Sequence, residues 1–238
     1  MPKSLAALLT LVSLVAAGPP PLTLLTEENP PYNFADPDTG EVKGIVATTV
    51  RQLMKEAGIG YGLQLLPWRR AYRRTETNAN TCIFSANKTP AREALFQWVG
   101  PLAGSEGGWG FFMRPDSGIK ISTLEEASKF IVAGVAGNAS AAEFEQLTGN
   151  KILGAPDEKT AMLLLYHGRS DLVLTGTGNA AHAAGSLDVD PPKLALLWRS
   201  YGLYLACNLA TDPALIKTLN RISAAQRQNH SQHTTGTD

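Results

Sequence analysis

A regular alternation of apolar, strand-like runs with amphipathic helical segments occurs twice along this chain and constrains its fold most strongly. In the first hundred residues, the pattern predicts strands at 22–26, 61–66 and 81–85, with helices at 46–57 and 68–75 between them. The second pass predicts strands at 130–135 and 171–174, with helices before and after residue 157. Alternation of this kind favours a mostly parallel sheet with helices on both faces, so the fold class is α/β with two units.

Composition and charge restrict the function. The chain has 238 residues, of which 44% are hydrophobic, so it can bury the core of one large or two small domains. Lys plus Arg and Asp plus Glu both number 21, which leaves no net charge. A protein that binds nucleic acid or anionic membrane broadly needs a basic excess, so neither partner is expected.

The N-terminus has the pattern of an export signal. Lys3 precedes an uncharged apolar run at 5–17, and Val15, Ala16 and Ala17 provide the small residues of a cleavage site before Gly18. A membrane anchor or a buried helix is the alternative, but the run is shorter than the roughly 20 residues of a membrane span. We therefore predict a signal peptide at 1–17 and a periplasmic mature protein.

The sequence has two cysteines, Cys82 and Cys207. Both lie in strand-like apolar runs, and an oxidising compartment permits them to form one disulfide. Two separately buried thiols are equally compatible with the sequence. Neither cysteine has a histidine at metal-ligand spacing, so no metal site and no cofactor are expected.

A set of short motifs occurs in a fixed order. They are Leu25-Thr26-Glu27-Glu28-Asn29-Pro30-Pro31-Tyr32, Gly40-x-Val42-x-Gly44-Ile45, Pro67-Trp68-x-Arg70-Ala71-Tyr72, Phe84-Ser85-x-x-x-Thr89-Pro90-x-Arg92-Glu93 and Phe96-x-Trp98-Val99-Gly100-Pro101-Leu102. Each motif is weak alone, but the ordered set resembles the family 3 extracellular solute-binding proteins, the periplasmic receptors of polar amino-acid ABC transporters. The similarity extends from about Leu22 to Ile222.

The resemblance implies a two-lobed periplasmic-binding-protein fold of type II, a clamshell whose lobes are joined by two crossover hinge strands. The crossings are expected near 100–104 and 199–203. After the signal peptide, we predict a first lobe at 18–103, a second lobe at 104–200 and a return segment at 201–226. The polar residues from Arg227 onward predict a frayed tail at 227–238. The last helix that relatives carry is missing after Ala225 in this interpretation.

The resemblance also implies ligand-binding residues in the first lobe. Arg92 matches the arginine that grips the ligand's α-carboxylate, a role that suits the two parallel donors of a guanidinium. The alternative without a ligand is that Arg92 forms an ion pair with Glu93 or another surface acid. The remaining first-lobe candidates comprise aromatic walls, hydrogen-bonding side chains and one further arginine: Tyr32, Trp68, Ser85, Asn87, Thr89 and Arg70. An inward Arg70 predicts a cationic cleft suited to an acidic ligand.

In the second lobe, Gly137, Asn138 and Ala139 match a loop whose backbone amides meet the ligand at a helix N-terminus. Thr175 stands where the amino-acid receptors carry the aspartate that receives the ligand's ammonium group. A hydroxyl accepts a hydrogen bond but cannot neutralise a buried charge. The carboxylate end of the ligand is therefore better predicted than its amino end.

These observations predict a non-catalytic, monomeric receptor that captures a small polar or anionic, amino-acid-like solute by hinge closure. Its macromolecular partner is then the permease of an ABC importer. Two alternatives remain: a ligand-sensing module that acts on a signalling partner, and a dehydratase-like enzyme on the same scaffold. The enzyme needs a positioned acid or base, for which Glu27 and Glu28 are candidates by location.

Overall fold

The computed structural model describes residues 21–234, so the predicted signal peptide lies outside the described residues. The strands are β1 (Leu22–Thr26), β2 (Phe34–Ala35), β3 (Val42–Lys43), β4 (Tyr61–Leu65), β5 (Thr81–Asn87), β6 (Gln97–Val99), β7 (Gly107–Met113), β8 (Val132–Val135), β9 (Leu153–Ala155), β10 (Leu172–Gly176), β11 (Lys193–Tyr201) and β12 (Leu203–Cys207). The helices are α1 (Ile45–Ala57), α2 (Trp68–Thr77), α3 (Pro90–Glu93), α4 (Leu124–Ala127), α5 (Ala139–Thr148), α6 (Glu158–Tyr166), α7 (Thr177–Gly185) and α8 (Pro213–Thr234).

The first lobe is built on a five-stranded sheet with the order β4-β1-β5-β12-β6. β1 pairs in parallel with β4 and β5, whereas β12 is antiparallel to both of its neighbours. α1 turns Val46, Val50 and Leu53 toward the sheet, and each of these residues is fully buried. Their helical spacing is the reason that this segment folds as a helix against a sheet. Gly58 ends α1 in the left-handed conformation that glycine adopts without strain.

The second lobe has its own five-stranded sheet, with the order β11-β7-β10-β8-β9. β8 is parallel to both β9 and β10, and β7 is antiparallel to β10 and β11. Asp157 caps α6 by accepting a hydrogen bond of 2.7 Å from the Thr160 amide. Phe111, Phe144 and Leu172 are buried on one side of this sheet, and Met162 and Leu165 on the other. Two helix-covered faces explain why the central strands are apolar throughout.

Two connections join the sheets. The chain leaves the first sheet after β6 and enters the second at β7, through residues 100–106. It returns from β11 to β12 across Gly202 alone, so the two strands form an almost continuous extended segment. The two passages therefore fall where the resemblance implies hinge strands.

The C-terminal helix differs from the expectation of a frayed tail at 227–238. α8 continues to Thr234, so the last helix is present. Ile216, Leu219 and Ile222 bury its apolar face in the first lobe. Further along, Arg227 donates a hydrogen bond of 2.6 Å to the carbonyl oxygen of Pro101. Apolar periodicity predicts the first part of this helix, but it does not detect polar anchors of this kind, so the continuation beyond residue 226 differs from the prediction.

Cys82 and Cys207 form a disulfide between β5 and β12, where they stand opposite each other in the antiparallel register. Their Cα atoms are 4.0 Å apart, although 125 positions separate them in sequence. This answers the question that the sequence left open between a bond and two thiols.

Within the described part of the chain, no helix is sufficiently long and apolar to cross a membrane.

Candidate functional site

A cavity of about 390 Å³ lies between the two sheets, at the ends of β1, β5 and β10. This volume lies within the usual range of ligand pockets, roughly 300–1,000 Å³. The lining residues from the first lobe include Glu27, Glu28, Asn29, Pro30, Trp68, Ser85, Asn87 and Arg92. Those from the second lobe include Gly137, Asn138, Ala139, Ser140, Asp157, Glu158, Lys159, Asn179 and His182. The two walls thus come from different lobes.

Arg92 is placed on the first-lobe wall by the short helix α3. Its guanidinium carbon lies 5.1 Å from the ring centre of Trp68 and 5.4 Å from that of Tyr72. These aromatic contacts hold the cation without neutralising it. Glu93 pairs instead with Lys88 at 2.9 Å, and no carboxylate of residues 21–234 forms an ion pair with Arg92. Burial lowers the pKa of Arg92, so the site favours an anion that restores the lost solvation.

Ser85 and Asn87 bring polar groups from the end of β5 to the cavity. Ser85 has a positive φ of 61°, an uncommon conformation for a residue with a Cβ atom. Its hydroxyl donates a hydrogen bond to Asn33, so that hydrogen is already engaged. The side-chain oxygen of Asn87 is buried and has no hydrogen-bond partner in the described chain. A ligand N–H group in the cavity can supply the missing donor.

The second-lobe wall contains the N-terminus of α5, where Gly137, Asn138 and Ala139 line the cavity. Gly137 has a φ of 83°, which favours glycine at this turn. Asn138 occupies the N-cap, but its side chain makes no capping hydrogen bond. The first amides of the helix therefore remain without a side-chain acceptor beside the cavity.

Thr175 does not line the cavity. It is buried at the end of β10, and its hydroxyl donates a hydrogen bond of 2.7 Å to a carboxylate oxygen of Glu158. Glu158 does line the cavity, from the first turn of α6. The second lobe thus has a carboxylate beside the predicted position, and Thr175 orients it. Burial raises the pKa of Glu158 to about 7, although the hydrogen bond from Thr175 opposes the rise.

Glu27 follows β1 and faces the same cavity from the first lobe. Burial raises its pKa to about 7; the charge of Arg92 lowers it and the charge of Glu158 raises it. No described residue donates a hydrogen bond to its carboxylate or forms an ion pair with it. Glu27 and Glu158 are therefore two cavity carboxylates that form no ion pair among residues 21–234.

Three other predicted site residues lie away from the cavity lining. Tyr32 is buried, and its hydroxyl accepts hydrogen bonds from Tyr201 and from the backbone of Gly178. Arg70 is exposed on α2 and does not contribute to the cavity lining. Thr89 is the N-cap residue of α3 and makes no side-chain capping bond.

Asn179 forms a contact between the lobes that the sequence did not reveal. Its side-chain amide donates to the side-chain oxygen of Asn29 at 2.7 Å and to the carbonyl oxygen of Pro30 at 2.8 Å. The hydroxyl of Tyr32 meets the backbone of Gly178 at the same helix N-terminus. We call these contacts the α7 latch. Because α7 is rich in Gly and Ala, its pattern lacked the apolar periodicity that identifies a helix.

Among the described residues, no group of three or more His, Cys, Asp or Glu side chains is arranged to hold a metal ion.

No protein-family model matches this sequence, and no curated protein sequence matches it. Solved structures match at the level of the fold. An arginine-bound Gly52Ala mutant of the T. maritima protein ArgBP has a TM-score of 0.71 and 18% identity, over 86% of this chain and 94% of that one. A histidine kinase sensor domain with similarity to periplasmic binding proteins has a TM-score of 0.76 and 16% identity, over 90% and 93%.

The ancestral amino-acid-binding protein AncCDT-1, a precursor of cyclohexadienyl dehydratase, has a TM-score of 0.69 and 20% identity, over 89% of this chain and 94% of that one. The fold of this chain is therefore that of the two-lobed periplasmic binding proteins. At these identities the similarity establishes the fold but does not identify the ligand.

Proposed function

We propose that this protein is a periplasmic receptor that captures a small amino-acid-like solute between its lobes. The observation that carries the proposal is one side chain of each charge on opposite walls of the cavity, Arg92 on the first lobe and Glu158 on the second, neither of which forms an ion pair among residues 21–234. A zwitterion has the complementary arrangement of charges. Each end of such a solute then compensates one of the two charges that the protein leaves unpaired.

Arg92 binds the carboxylate of the solute in this proposal. Its guanidinium lies near the rings of Trp68 and Tyr72, contacts that do not use its N–H donors. The open amides at the N-terminus of α5 add donors from the second lobe. Closure of the lobes brings the two sets of donors to one anionic group.

Glu158 binds the ammonium group. Thr175 donates a hydrogen bond to one oxygen of its carboxylate, which leaves the other oxygen available to a ligand donor. This pairing replaces the single aspartate that the resemblance leads one to expect at position 175. The amino end of the solute thus has a partner that position 175 alone did not reveal.

The solved structures support an amino-acid-like solute. The ArgBP structure is arginine-bound, and an ancestral arginine-binding protein with a TM-score of 0.71 and 16% identity is bound to glutamine.

Among the roles open to such a receptor, we propose that it acts as a monomer and delivers the solute to the permease of an ABC importer. The histidine kinase sensor domain represents the alternative of signalling. Solute uptake by vesicles with a reconstituted permease and the receptor distinguishes import from signalling.

A thermal-shift screen of amino acids and small carboxylates tests solute binding. A solute that binds only the folded protein at 100 times its Kd adds about 2.7 kcal/mol of stability, which raises Tm by roughly 5–10 °C. The Arg92→Ala variant is expected to lose this shift. Arg70→Ala is the matched control, because Arg70 is exposed outside the cavity. No shift with any solute contradicts the proposal, and a full shift in Arg92→Ala contradicts the role of Arg92.

One observation favours catalysis as a second candidate. Glu27 and Glu158 have pKa values raised to about 7, which is suitable for a general acid in a closed cavity. AncCDT-1 is described as the precursor of a dehydratase, so its scaffold is compatible with that chemistry. Prolonged incubation of bound solutes with the protein, followed by NMR, separates the two functions. A receptor returns every solute unchanged, whereas an enzyme produces a new species.

A further inference from the structure

The charges that line the cavity do not balance for a simple zwitterion. The buried part of the lining has one guanidinium, that of Arg92, and the two carboxylates of Glu27 and Glu158. A zwitterion supplies one negative and one positive group, which match Arg92 and Glu158. The carboxylate of Glu27 then remains in the cavity without a positive partner of its own.

Arg92 cannot serve Glu27 as a full partner while it binds the solute. No ion pair joins the two side chains, and the guanidinium is engaged with two aromatic rings and with the carbonyl oxygen of Asn87 at 3.5 Å. Glu27 also lacks a hydrogen-bond donor from the described chain. An uncompensated carboxylate in a closed cavity is costly, so a positive group on the solute is the natural complement.

The surroundings of the cavity point in the same direction. Glu28 and Asp157 add two carboxylates to its lining, against the ammonium group of Lys159 in the lining and the guanidinium of Arg69 beside Gly137. The volume of about 390 Å³ also leaves room for a side chain beyond the zwitterionic head group. The excess of carboxylates departs from the expectation of an anionic solute.

We propose that the cavity selects α-amino acids with a positively charged side chain, and that Glu27 is the residue that determines this specificity. This inference rests on the proposed receptor function, because the head group is assigned to Arg92 and Glu158. Glu27 receives the distal cation of the solute. The interaction of Glu27 with the solute is noncovalent, and no covalent bond is formed or broken.

Arginine and citrulline test this inference, because the two amino acids have similar shapes and differ in the charge of the side chain. Calorimetry of the wild-type protein is expected to give an affinity for arginine that is roughly 10- to 100-fold higher than for citrulline, the difference made by a charge-assisted hydrogen bond. Glu27→Gln keeps the shape of the side chain and removes its charge. We expect it to reduce the preference to below about 3-fold, mainly through weaker arginine binding.

Glu76→Gln is the matched control, since it makes the same charge change on the exposed surface of the first lobe. It is expected to keep the preference for arginine. Equal affinity of the wild-type protein for arginine and citrulline overturns the inference but leaves the receptor proposal intact. A preference that survives in folded Glu27→Gln overturns the role of Glu27. Failure of the wild-type protein to bind any amino acid contradicts the receptor proposal itself.

Discussion

Glu27 and Glu158 are carboxylates that the fold keeps in a cavity without a positive side chain in contact. Ordinarily a buried acid is paired or hydrogen-bonded, because an isolated charge loses its hydration. Here Glu158 has the hydroxyl of Thr175, and Glu27 has no hydrogen-bond donor within residues 21–234. The free protein therefore carries an electrostatic cost that a positively charged ligand removes.

This cost predicts how the stability of the ligand-free protein depends on pH. The pKa of each acid rises from 4.5 in the unfolded chain to about 7 in the native protein, so the native state binds more protons between these values. The free energy of unfolding must then fall as the pH rises from about 5 to about 7. We expect a decrease on the order of 1 kcal/mol per carboxyl group, after allowance for solvent at the cavity.

Thermal unfolding at pH 5.5 and at pH 8 measures this effect. Glu27→Gln should show a smaller loss of Tm between the two pH values than the wild-type protein. A wild-type Tm that is higher at pH 8 than at pH 5.5 would contradict the assignment. Asp36 does not contribute to this change, because hydrogen bonds from Lys43 and Thr39 hold its pKa well below its usual value and it stays ionised throughout this range.

Position 175 illustrates how far sequence reasoning reaches at the residue scale. The absence of an acid at position 175 is visible in the sequence. The carboxylate that takes the place of that acid, Glu158, lies 17 positions earlier and on another element. Asp157, the N-cap of α6, is a residue type that commonly begins a helix. Which acid of the first helical turn faces the cavity depends on how α6 packs against β10, and no local pattern encodes that packing.

At the scale of elements, the disulfide connects two strands of the first lobe, one of which precedes the second lobe in the sequence while the other follows it. β5 precedes both crossings and β12 follows both, so the bond joins the two parts of the first lobe. Cross-linking restricts the unfolded chain more when the enclosed loop is longer, and here the separation is 125 residues.

We expect the double variant Cys82→Ala/Cys207→Ala to lose about 2–4 kcal/mol of stability. Alanine preserves an apolar group at two fully buried positions, which limits the contribution from lost packing. Denaturant unfolding with and without reductant measures the loss. Reductant should destabilise the wild-type protein and leave the double variant unchanged. Alkylation of two free thiols in the non-reduced wild-type protein would refute the bond.

The helices show where periodicity is sufficient as a predictor and where it fails. α1 has Val46, Val50 and Leu53 at helical spacing, so its position follows from sequence alone. The sequence of α7 has little apolar periodicity. The last part of α8 is held by the hydrogen bond from Arg227 to the carbonyl oxygen of Pro101. Such helices are fixed by tertiary contacts that do not repeat along the chain.

On the scale of the whole molecule, the α7 latch holds the lobes together by contacts that need no ligand. Asn179 reaches from the second lobe to Asn29 and Pro30 of the first. A contact between the lobes stabilises the arrangement in which the lobes meet, with or without solute. Ligand affinity should therefore include the energy of the latch, because the solute binds most tightly to the closed state.

Asn179→Ala removes two hydrogen bonds between the lobes and should weaken solute binding by roughly 5- to 100-fold. Small-angle X-ray scattering of the ligand-free variant should give a larger radius of gyration than the wild-type protein. Asn150→Ala is a suitable control, because Asn150 donates its hydrogen bond to Ser128 within the second lobe. Unchanged affinity and unchanged scattering in Asn179→Ala would exclude a role for the latch.

The strand order of the first sheet has a consequence for the order in which the two lobes can fold during synthesis. β12 lies between β5 and β6, so the first lobe lacks an inner strand until the chain has been made past Cys207. The second lobe, in contrast, is one uninterrupted stretch from β7 to β11. The half that is synthesised later can thus reach its native shape earlier. The half that is synthesised first must wait, with the edges of β5 and β6 unpaired, for its last strand to emerge.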